Sequence, residues 1–253
     1  MRSRLEYPDR LARARAAWHR AIEACLAGFM LLVLSPLIAL IAAAIVIETG
    51  RPVFFLHPRI GQYGKSFSLV KFRKFRRNLG SRQLPLTMRD DPRLTRVGEF
   101  LERNKLDELP QLWNVLRGEM AILGPRPESL EFRGCFENGF QAVLDYAPGI
   151  LGPSQALFRN EKFFYPPDCD PMIFYRTVLF PAKARIDLAY YPNRTLRSDL
   201  AWVFWCSLVV FGYVPRSRRL ATIANEVANF IRNCGKPLGS EIDPSFIHAF
   251  RGR

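Results

Sequence analysis

Between Ala24 and Ile47 the chain carries 24 consecutive residues without a charge, most of them apolar, interrupted near the middle by Ser35-Pro36. A straight helix needs about 20 apolar residues at about 1.5 Å each to cross a bilayer core, so length alone permits a crossing. The flanks argue for something else. Arg10, Arg13, Arg15 and Arg20 precede the run, Arg51 and Arg59 follow it, and a basic tract from Lys71 to Arg77 comes soon after. Positive charge on both sides draws both ends toward the cytoplasm instead of setting an orientation. Pro36 removes a backbone donor and clashes with the preceding turn, at roughly 3 kcal/mol in a regular helix, and Ser35 can offer its hydroxyl to the freed carbonyl. A bend there leaves two arms of about 12 residues, each near 18 Å and too short to cross alone. A spanning helix with a tolerated proline stays open on these grounds. A cleaved signal peptide fits less well, because the apolar part exceeds the usual length of roughly 7–15 residues and no small-residue cleavage site follows.

With 253 residues the chain has room for one substantial domain beside this element. A formal net charge of +14 and a pI near 10.1 favour anionic partners such as nucleic acid, phospholipid or a phosphorylated substrate, without choosing among them. Cys25, Cys135, Cys169, Cys206 and Cys234 form no metal-like pairs, which suits a reducing compartment without structural disulfides. His19, His57 and His248 are too dispersed for a three-histidine zinc site.

The patterning predicts a helical, surface-lying lead-in over the first twenty residues, then short strands at Val53–Leu56 and Phe67–Phe72 joined through Gly61 and Gly64. Val97, Phe100 and Leu101 mark a short helix. Leu109, Leu112, Trp113 and Leu116 mark another on one face, with Gly118 as its stop. Residues 128–145 read as helical, and a loop rich in Pro and Asp spans Tyr165–Pro171. Leu200–Val214 is a second apolar stretch, short for a crossing and better suited to a core or interfacial helix. Asn193-Arg194-Thr195 is a chance sequon on a cytoplasmic reading.

The chemistry concentrates between Thr95 and Pro127. Asp107 and Glu108 fall at a helix start, where free N–H groups and the dipole favour an ionised carboxylate, and Pro110 is tolerated in that first turn. Asp107 can be a cap, a metal ligand or a nucleophile; Glu108 is the nearest oxygen ligand for magnesium. In Gly124-Pro125-Arg126-Pro127 an arginine sits between two residues of fixed φ, which suits a guanidinium aimed at phosphate. In Lys71-Phe72-Arg73-Lys74-Phe75-Arg76-Arg77, if extended, Lys71, Arg73 and Phe75 point one way and Phe72, Lys74 and Arg76 the other, so no purely aromatic stacking platform results. A phosphate-facing or membrane-facing role accommodates it better than nucleic acid. Asp90, Asp91 and Asp168 read as turn residues first.

From Ala21 to Tyr191 the chain closely resembles the monotopic bacterial phosphoglycosyl transferases, also called polyprenyl-phosphate sugar-1-phosphate transferases or bacterial sugar transferases. The resemblance rests on Ser35-Pro36, Arg59-Ile60-Gly61, Lys71-Phe72-Arg73, Asp91-Pro92-Arg93, Leu106 to Gly118, Gly124-Pro125-Arg126-Pro127, and Pro148-Gly149-Ile150 followed by Gly152. The Leu106 to Pro127 portion is highly specific.

This resemblance implies an α+β fold: a compact cytoplasmic catalytic domain over residues 51–200 and a re-entrant membrane helix broken at Ser35-Pro36 within residues 1–50. Residues 201–253 make up a C-terminal apolar helix and tail. The helix is read from composition and the tail beyond about Val214 exceeds the minimal family core, so neither rests on the resemblance, which further implies the cytoplasmic face of a bacterial inner membrane. Asp107 is then the nucleophile and Glu108 its partner, the two engaging magnesium and the diphosphate of a nucleoside-diphosphate sugar, usually a UDP-sugar. A phosphosugar carried on Asp107 passes to polyprenyl phosphate, undecaprenyl phosphate above all, in a ping-pong order. Arg126, Lys71 and Arg73 are the expected phosphate-binding groups. Asp91, Arg93, Gln155, Arg159 and Asn160 are candidates for pocket shaping or sugar selection. Anionic phospholipid is an expected partner, nucleic acid is not, and a homo-oligomer stays open.

Two departures bear on this. Lys74-Phe75 stands where the family commonly has Thr-Met, adding charge beside the site. Phe158 replaces an expected glycine before Arg159-Asn160, so no particular sugar is named. A membrane-bound phosphohydrolase using the same carboxylates, or a basic scaffold without activity, are the competing readings.

Overall fold

The computed structural model describes residues 10–76, 86, 91–137, 139–159, 161, 164–165 and 170–210. Helix α1 (Arg10–Val33) carries the basic lead-in and the first half of the apolar run as one element, and α2 (Ser35–Thr49) carries the second half. The pair is bent by 60° at their junction. Pro36 has no N–H to give the Leu32 carbonyl, and Ser35 Oγ donates to that oxygen instead at 2.7 Å. Bonds from Leu34 N to Met30 O (2.8 Å) and from Ile38 N to Leu34 O (2.9 Å) continue on either side, so the chain bends without unwinding. Among the described residues no single helix is both long and apolar enough to cross a membrane.

Both ends of the bent pair dock on the same body. From α1, Arg20 donates to the carbonyls of Val115 (3.0 Å) and Met120 (2.7 Å), and Glu23 accepts from Ile122 N at 3.1 Å. At the end of α2, Glu48 accepts from Arg96 N (2.8 Å) and Val97 N (3.1 Å), the first amides of α3 (Arg96–Arg103). Thr95 Oγ1 takes the Gly98 amide, so this helix start has its orphan donors met from two directions. Between the docked ends, Phe29, Leu32 and Leu40 lie exposed.

Strands β1 (Phe54–Ile60) and β2 (Ser66–Phe72) pair antiparallel from Phe54↔Phe72 to Ile60↔Ser66, a longer first strand than the sequence suggests. The turn between them places Tyr63 and Gly64 at positive φ. After α3, a tight 3-10 turn at Leu106–Glu108 leads through Leu109 and Pro110 into α4 (Gln111–Arg117), which Gly118 ends at φ +92°. Leu112 and Val115 face inward, whereas Trp113 and Leu116 face outward, so α4 has two apolar faces and not the single one expected.

The β2 edge is closed by one side chain. The wholly buried Asn114 accepts from Val70 N at 2.9 Å and donates to Ser68 O at 2.8 Å, standing in for a neighbouring strand, while its amide also reaches Glu119 at 2.7 Å.

The short strands β3 (Ala121–Leu123) and β4 (Gly149–Leu151) pair in parallel. Residues 128–145 are helical, as expected, in the form of two 3-10 segments, Leu130–Phe136 and Gln141–Asp145, with Gly139 at φ +88° between them. Then follow α5 (Pro153–Leu157), α6 (Pro171–Phe174), a π turn at Tyr175–Leu179, α7 (Phe180–Tyr190) and α8 (Leu196–Val210). The π turn sits just before Pro181, where a regular helix would lose a bond and clash with the preceding turn. Phe132, Phe136, Phe158, Phe174, Tyr175, Leu179 and Phe180 form the main core beneath the 3-10 segments. The architecture is α+β, with small sheets and surrounding helices, as expected.

Replacing Asn114 by Ala removes the side-chain partner of two partly buried backbone groups of β2 and leaves a void where the amide was, at about 1–3 kcal/mol in all. A thermal melt of Asn114→Ala should fall well below wild type; an unchanged midpoint would mean that the amide does not hold α4 to the hairpin.

Candidate active site

Because Asn114 fixes α4 against β2, the turn just before α4 meets the end of β2. Lys71 Nζ donates to Glu108 Oε1 at 2.8 Å, and Arg126 Nη1 approaches the same oxygen at 4.0 Å. Lys74 Nζ lies 2.9 Å from Glu102 and 4.0 Å from Asp107 Oδ2. Asp107 is 3% exposed, and its Oδ1 is buried without a hydrogen-bond partner. It is therefore not the helix cap that the sequence allowed. Lys105, in the left-handed region at φ 58°, opens the turn, and no side chain caps it.

Burial and its like-charged neighbour Glu108 raise the Asp107 carboxyl above the usual carboxylate range, against the pull of Lys71, Lys74 and Lys105. Burial opposes ionisation of Glu108 as well, but Lys71, Lys105 and Arg126 outweigh it and hold that carboxyl low. Burial brings the Lys71 ammonium down to about 8, with Glu108 resisting. The pair is thus split: one ionised carboxylate locked to a lysine, and one buried carboxyl with a long approach from Lys74 at one oxygen and no hydrogen bond at the other.

The Gly124–Pro127 turn that presents Arg126 is built by backbone contact. A Cβ on Gly124 would meet Ala147 O at 2.2 Å, and one on Gly149 would meet Gly124 N at 2.0 Å. Gln155 Nε2 clasps both, donating to Gly124 O (3.3 Å) and Gly149 O (3.0 Å). From the other side, Arg59 Nη1 donates to Pro127 O at 3.1 Å, and Ile60 N to Glu128 O at 2.8 Å. Behind the turn lies a polar layer that sequence reasoning missed. Tyr175 donates to Glu128 at 2.6 Å, Lys183 lies 3.2 Å from the Tyr175 hydroxyl, and Lys183 is paired with Glu161. Its members are scattered over some fifty residues without a shared motif; only Arg59, inside Arg59-Ile60-Gly61, carried a signal.

Of the expected site residues, Asp107, Glu108, Lys71 and Arg126 converge. Arg73 does not. It turns to the end of α2, where Nη2 donates to Thr49 Oγ1 (2.7 Å) and Gly50 O (2.5 Å), because β2 ends at Phe72 and the alternation that would align Arg73 with Lys71 stops there. Asp91 and Arg93 pair with each other, Arg93 lying over the Phe75 ring, so they shape the adjoining loop. Gln155 acts as the clasp just described, and Arg159 donates to Arg103 O at 3.3 Å. Asn160, Asp90, Asp168, Arg77 and the tail past residue 210 lie outside the described residues.

The donor set suits a magnesium ion that shares its shell with substrate. Among the described residues no three carboxylate, histidine or cysteine groups cluster to chelate a metal alone, and magnesium is typically held by one or two carboxylates plus phosphate oxygens. The open oxygen of Asp107 is the atom left for such a contact.

The buried Asp107 and the partly buried Glu108 are thus ringed by Lys71, Lys74 and Arg126, a concentration of positive charge suited to anionic groups. The family of bacterial sugar transferases matches residues 14–213, and the chain belongs to it. It is 32% identical over 201 residues to the exopolysaccharide production protein ExoY of Sinorhizobium fredii, covering 73% of this chain and 81% of that one. It is 39% identical over 146 residues to an undecaprenyl-phosphate glucose phosphotransferase of Komagataeibacter xylinus, covering 54% of this chain and 27% of the relative. With an undecaprenyl-phosphate galactose phosphotransferase of Salmonella typhimurium it shares 32% identity over 183 residues, 65% of this chain and 34% of the relative. The chain thus spans about a third or less of the length of the two phosphotransferases.

A methyl group at Gly124 cannot be accommodated without parting β3 from β4, at about 3 kcal/mol or more. Gly134→Ala, where nothing lies within 4 Å, is the control. Thermal melts should show a large fall for the first and almost none for the second; equal midpoints would contradict the close approach.

Proposed function

We propose that this protein transfers a sugar-1-phosphate from a nucleoside-diphosphate sugar, a UDP-sugar in the first instance, to polyprenyl phosphate, through a phosphosugar held on Asp107. The observation that carries this reading is the unpartnered, buried Asp107 Oδ1 beside a Glu108 already neutralised by Lys71. A carboxylate that is desolvated and free of hydrogen bonds retains its nucleophilicity, while Lys71, Lys74 and Arg126 lie close enough to offset the charge of an incoming diphosphate. Undecaprenyl phosphate in the names of the two phosphotransferases supports the acceptor class; their differing sugars leave the sugar of this chain unassigned.

In the first step an oxygen of Asp107 attacks the sugar-linked phosphorus, and the bond to the bridging oxygen breaks, its electron pair leaving with UMP. In the second, a phosphate oxygen of the polyprenyl phosphate attacks the same phosphorus, and the aspartyl oxygen departs as the carboxylate. Glu108, kept ionised by Lys71, and Asp107 would hold magnesium, which supplies charge neutralisation to the diphosphate when bound. Arg126, fixed by the glycine-rich turn, orients phosphate oxygens. An Asp107→Asn variant is expected to retain no radiolabelled phosphosugar without acceptor and to lose UMP release by several orders of magnitude. Undiminished turnover in that variant would remove Asp107 as nucleophile, and free sugar phosphate released with acceptor present would indicate a phosphohydrolase instead.

The same reading puts α1 and α2 into the cytoplasmic leaflet of a bacterial inner membrane as a re-entrant wedge, in contact with anionic phospholipid. It is supported by the 60° bend and by the docking of both ends on one body, through Arg20 and Glu23 at one and Glu48 and Thr49 at the other. Single cysteines at Trp18 and Arg51 should both resist a membrane-impermeant thiol reagent in intact cells, in a background with all five native cysteines replaced. Labelling of either from outside would sink the wedge and favour a crossing.

A further inference from the structure

Three cations and two carboxylates meet around the Gly124–Pro127 turn: Arg59, Arg126 and Lys183 against Glu128 and Glu161. Three against two leaves one positive charge over, and burial decides where it can be used. The Lys183 side chain is 5% exposed and Arg59 is buried, whereas the Arg126 side chain is 31% exposed. Burial works against the Arg126 charge, yet Glu108, Glu161 and Glu128 together hold the guanidinium above its usual range.

Both carboxylates of the layer are nevertheless engaged elsewhere. Glu128 accepts from the Tyr175 hydroxyl at 2.6 Å, and Glu161 is paired with Lys183 Nζ. Arg126 is left with no carboxylate closer than Glu108 Oε1 at 4.0 Å among the described residues, so its N–H groups stay open to a ligand. Lys183 is fixed in turn by its surroundings. Its Nζ lies 3.2 Å from the Tyr175 hydroxyl, 4.6 Å from the Tyr175 ring centre and 5.9 Å from that of Phe158. Phe158 is the buried ring that stands where the resemblance led one to expect glycine, and it lends this chain an apolar wall beside the ammonium. Among rings an ion pair is strong, and losing one partner strands the other. Burial opposes ionisation of Glu161, but Lys183 and after it Arg126 outweigh this and hold the carboxyl low. Without Lys183, the cation next in line for Glu161 is Arg126.

We infer that Lys183 is a positioning residue for phosphate binding: by holding Glu161 it keeps that carboxylate off Arg126 and leaves the guanidinium free for the substrate. The inference rests on the phosphate-binding role proposed above for Arg126. Lys183 touches no substrate, and its effect passes entirely through Glu161.

Titration of full-length protein in nanodiscs with UDP and magnesium tests this without a choice of sugar. Lys183→Met should weaken UDP binding about tenfold, because Glu161 then turns to Arg126. Glu161→Gln alone should bind as wild type does. The double variant Lys183→Met/Glu161→Gln should recover wild-type affinity, since no carboxylate then competes for the guanidinium. It replaces the whole pair by neutral groups of similar size, so it still decides the matter where Lys183→Met does not fold. A packing role for Lys183 predicts no recovery: a weak double variant, or an unchanged Kd in Lys183→Met, would overturn the inference. A large loss in Glu161→Gln would overturn it as well, by making Glu161 the group that orients Arg126. Phenylglyoxal modification of Arg126, read by peptide mass, should slow in Lys183→Met and recover in the double variant; an equal rate in all three proteins would count against the inference. If wild type bound no UDP, the transfer reading would fail, while the phenylglyoxal rates would still decide whether Lys183 holds Glu161 off Arg126.

Discussion

Everything at the charged site depends on how α4 is registered against β2, and one buried amide sets that register. An isolated two-stranded ribbon leaves a row of backbone groups exposed on each edge. Asn114 satisfies one donor and one acceptor of β2 from a helix, which a helix backbone cannot do because its own groups are already paired within it. The consequence reaches beyond stability. With α4 held there, the turn that precedes it brings Glu108 to Lys71 at the far end of the same strand.

The site exploits the cost of burying charge. Two neighbouring carboxylates cannot both be comfortably ionised away from water, and the structure resolves the conflict unequally. Glu108 receives Lys71 directly and the guanidinium of Arg126 nearby, while Asp107 has the longer approach of Lys74 and the more distant pull of Lys71 and Lys105. Arg126 in turn owes its position to glycines packed too closely for any side chain, with Gln155 bonded across them and Arg59 outside. The residues that present the charge and the residues that hold the presenting turn are therefore different sets, drawn from distant parts of the chain.

The bent helix pair is tied into the same body by polar groups at its ends as well as by its apolar middle, where Ala27 packs with Leu112 and Val115, and Ile41 and Ile45 with Phe72 and Leu101. Arg20 adds a second donor to the Val115 carbonyl near the end of α4, beside the one from Gly118 N, and Glu48 answers the open amides at the start of α3. Each contact joins a helix terminus to a charged side chain of suitable sign. Arg73 belongs to this set, and the basic tract that contains it is accordingly divided, with Lys71 and Lys74 facing the carboxylates and Arg73 facing the helix pair.

The sequence by itself determined the local events: the break at Ser35-Pro36 with its hydroxyl on the freed carbonyl, the hairpin through Gly61 and Gly64, the stop of α4 at Gly118, and Asp107, Glu108 and Arg126 as the residues to watch. Each of these follows from chemistry within a few positions, where a missing N–H, a φ above zero or a fixed proline ring leaves few alternatives. Only the tertiary structure decided the rest. Residues 128–145 read as helical, and packing divided them into two 3-10 segments about Gly139 at positive φ. Spacing suggested that Arg73 would join Lys71, but the strand ends between them. The polar layer of Glu128, Tyr175, Lys183 and Glu161, and the clasp that Gln155 makes on Gly124 and Gly149, were not legible because their partners lie far apart in sequence. Such contacts exist only after distant segments have packed, and packing is decided by shape and burial summed over the whole chain, which no local pattern records.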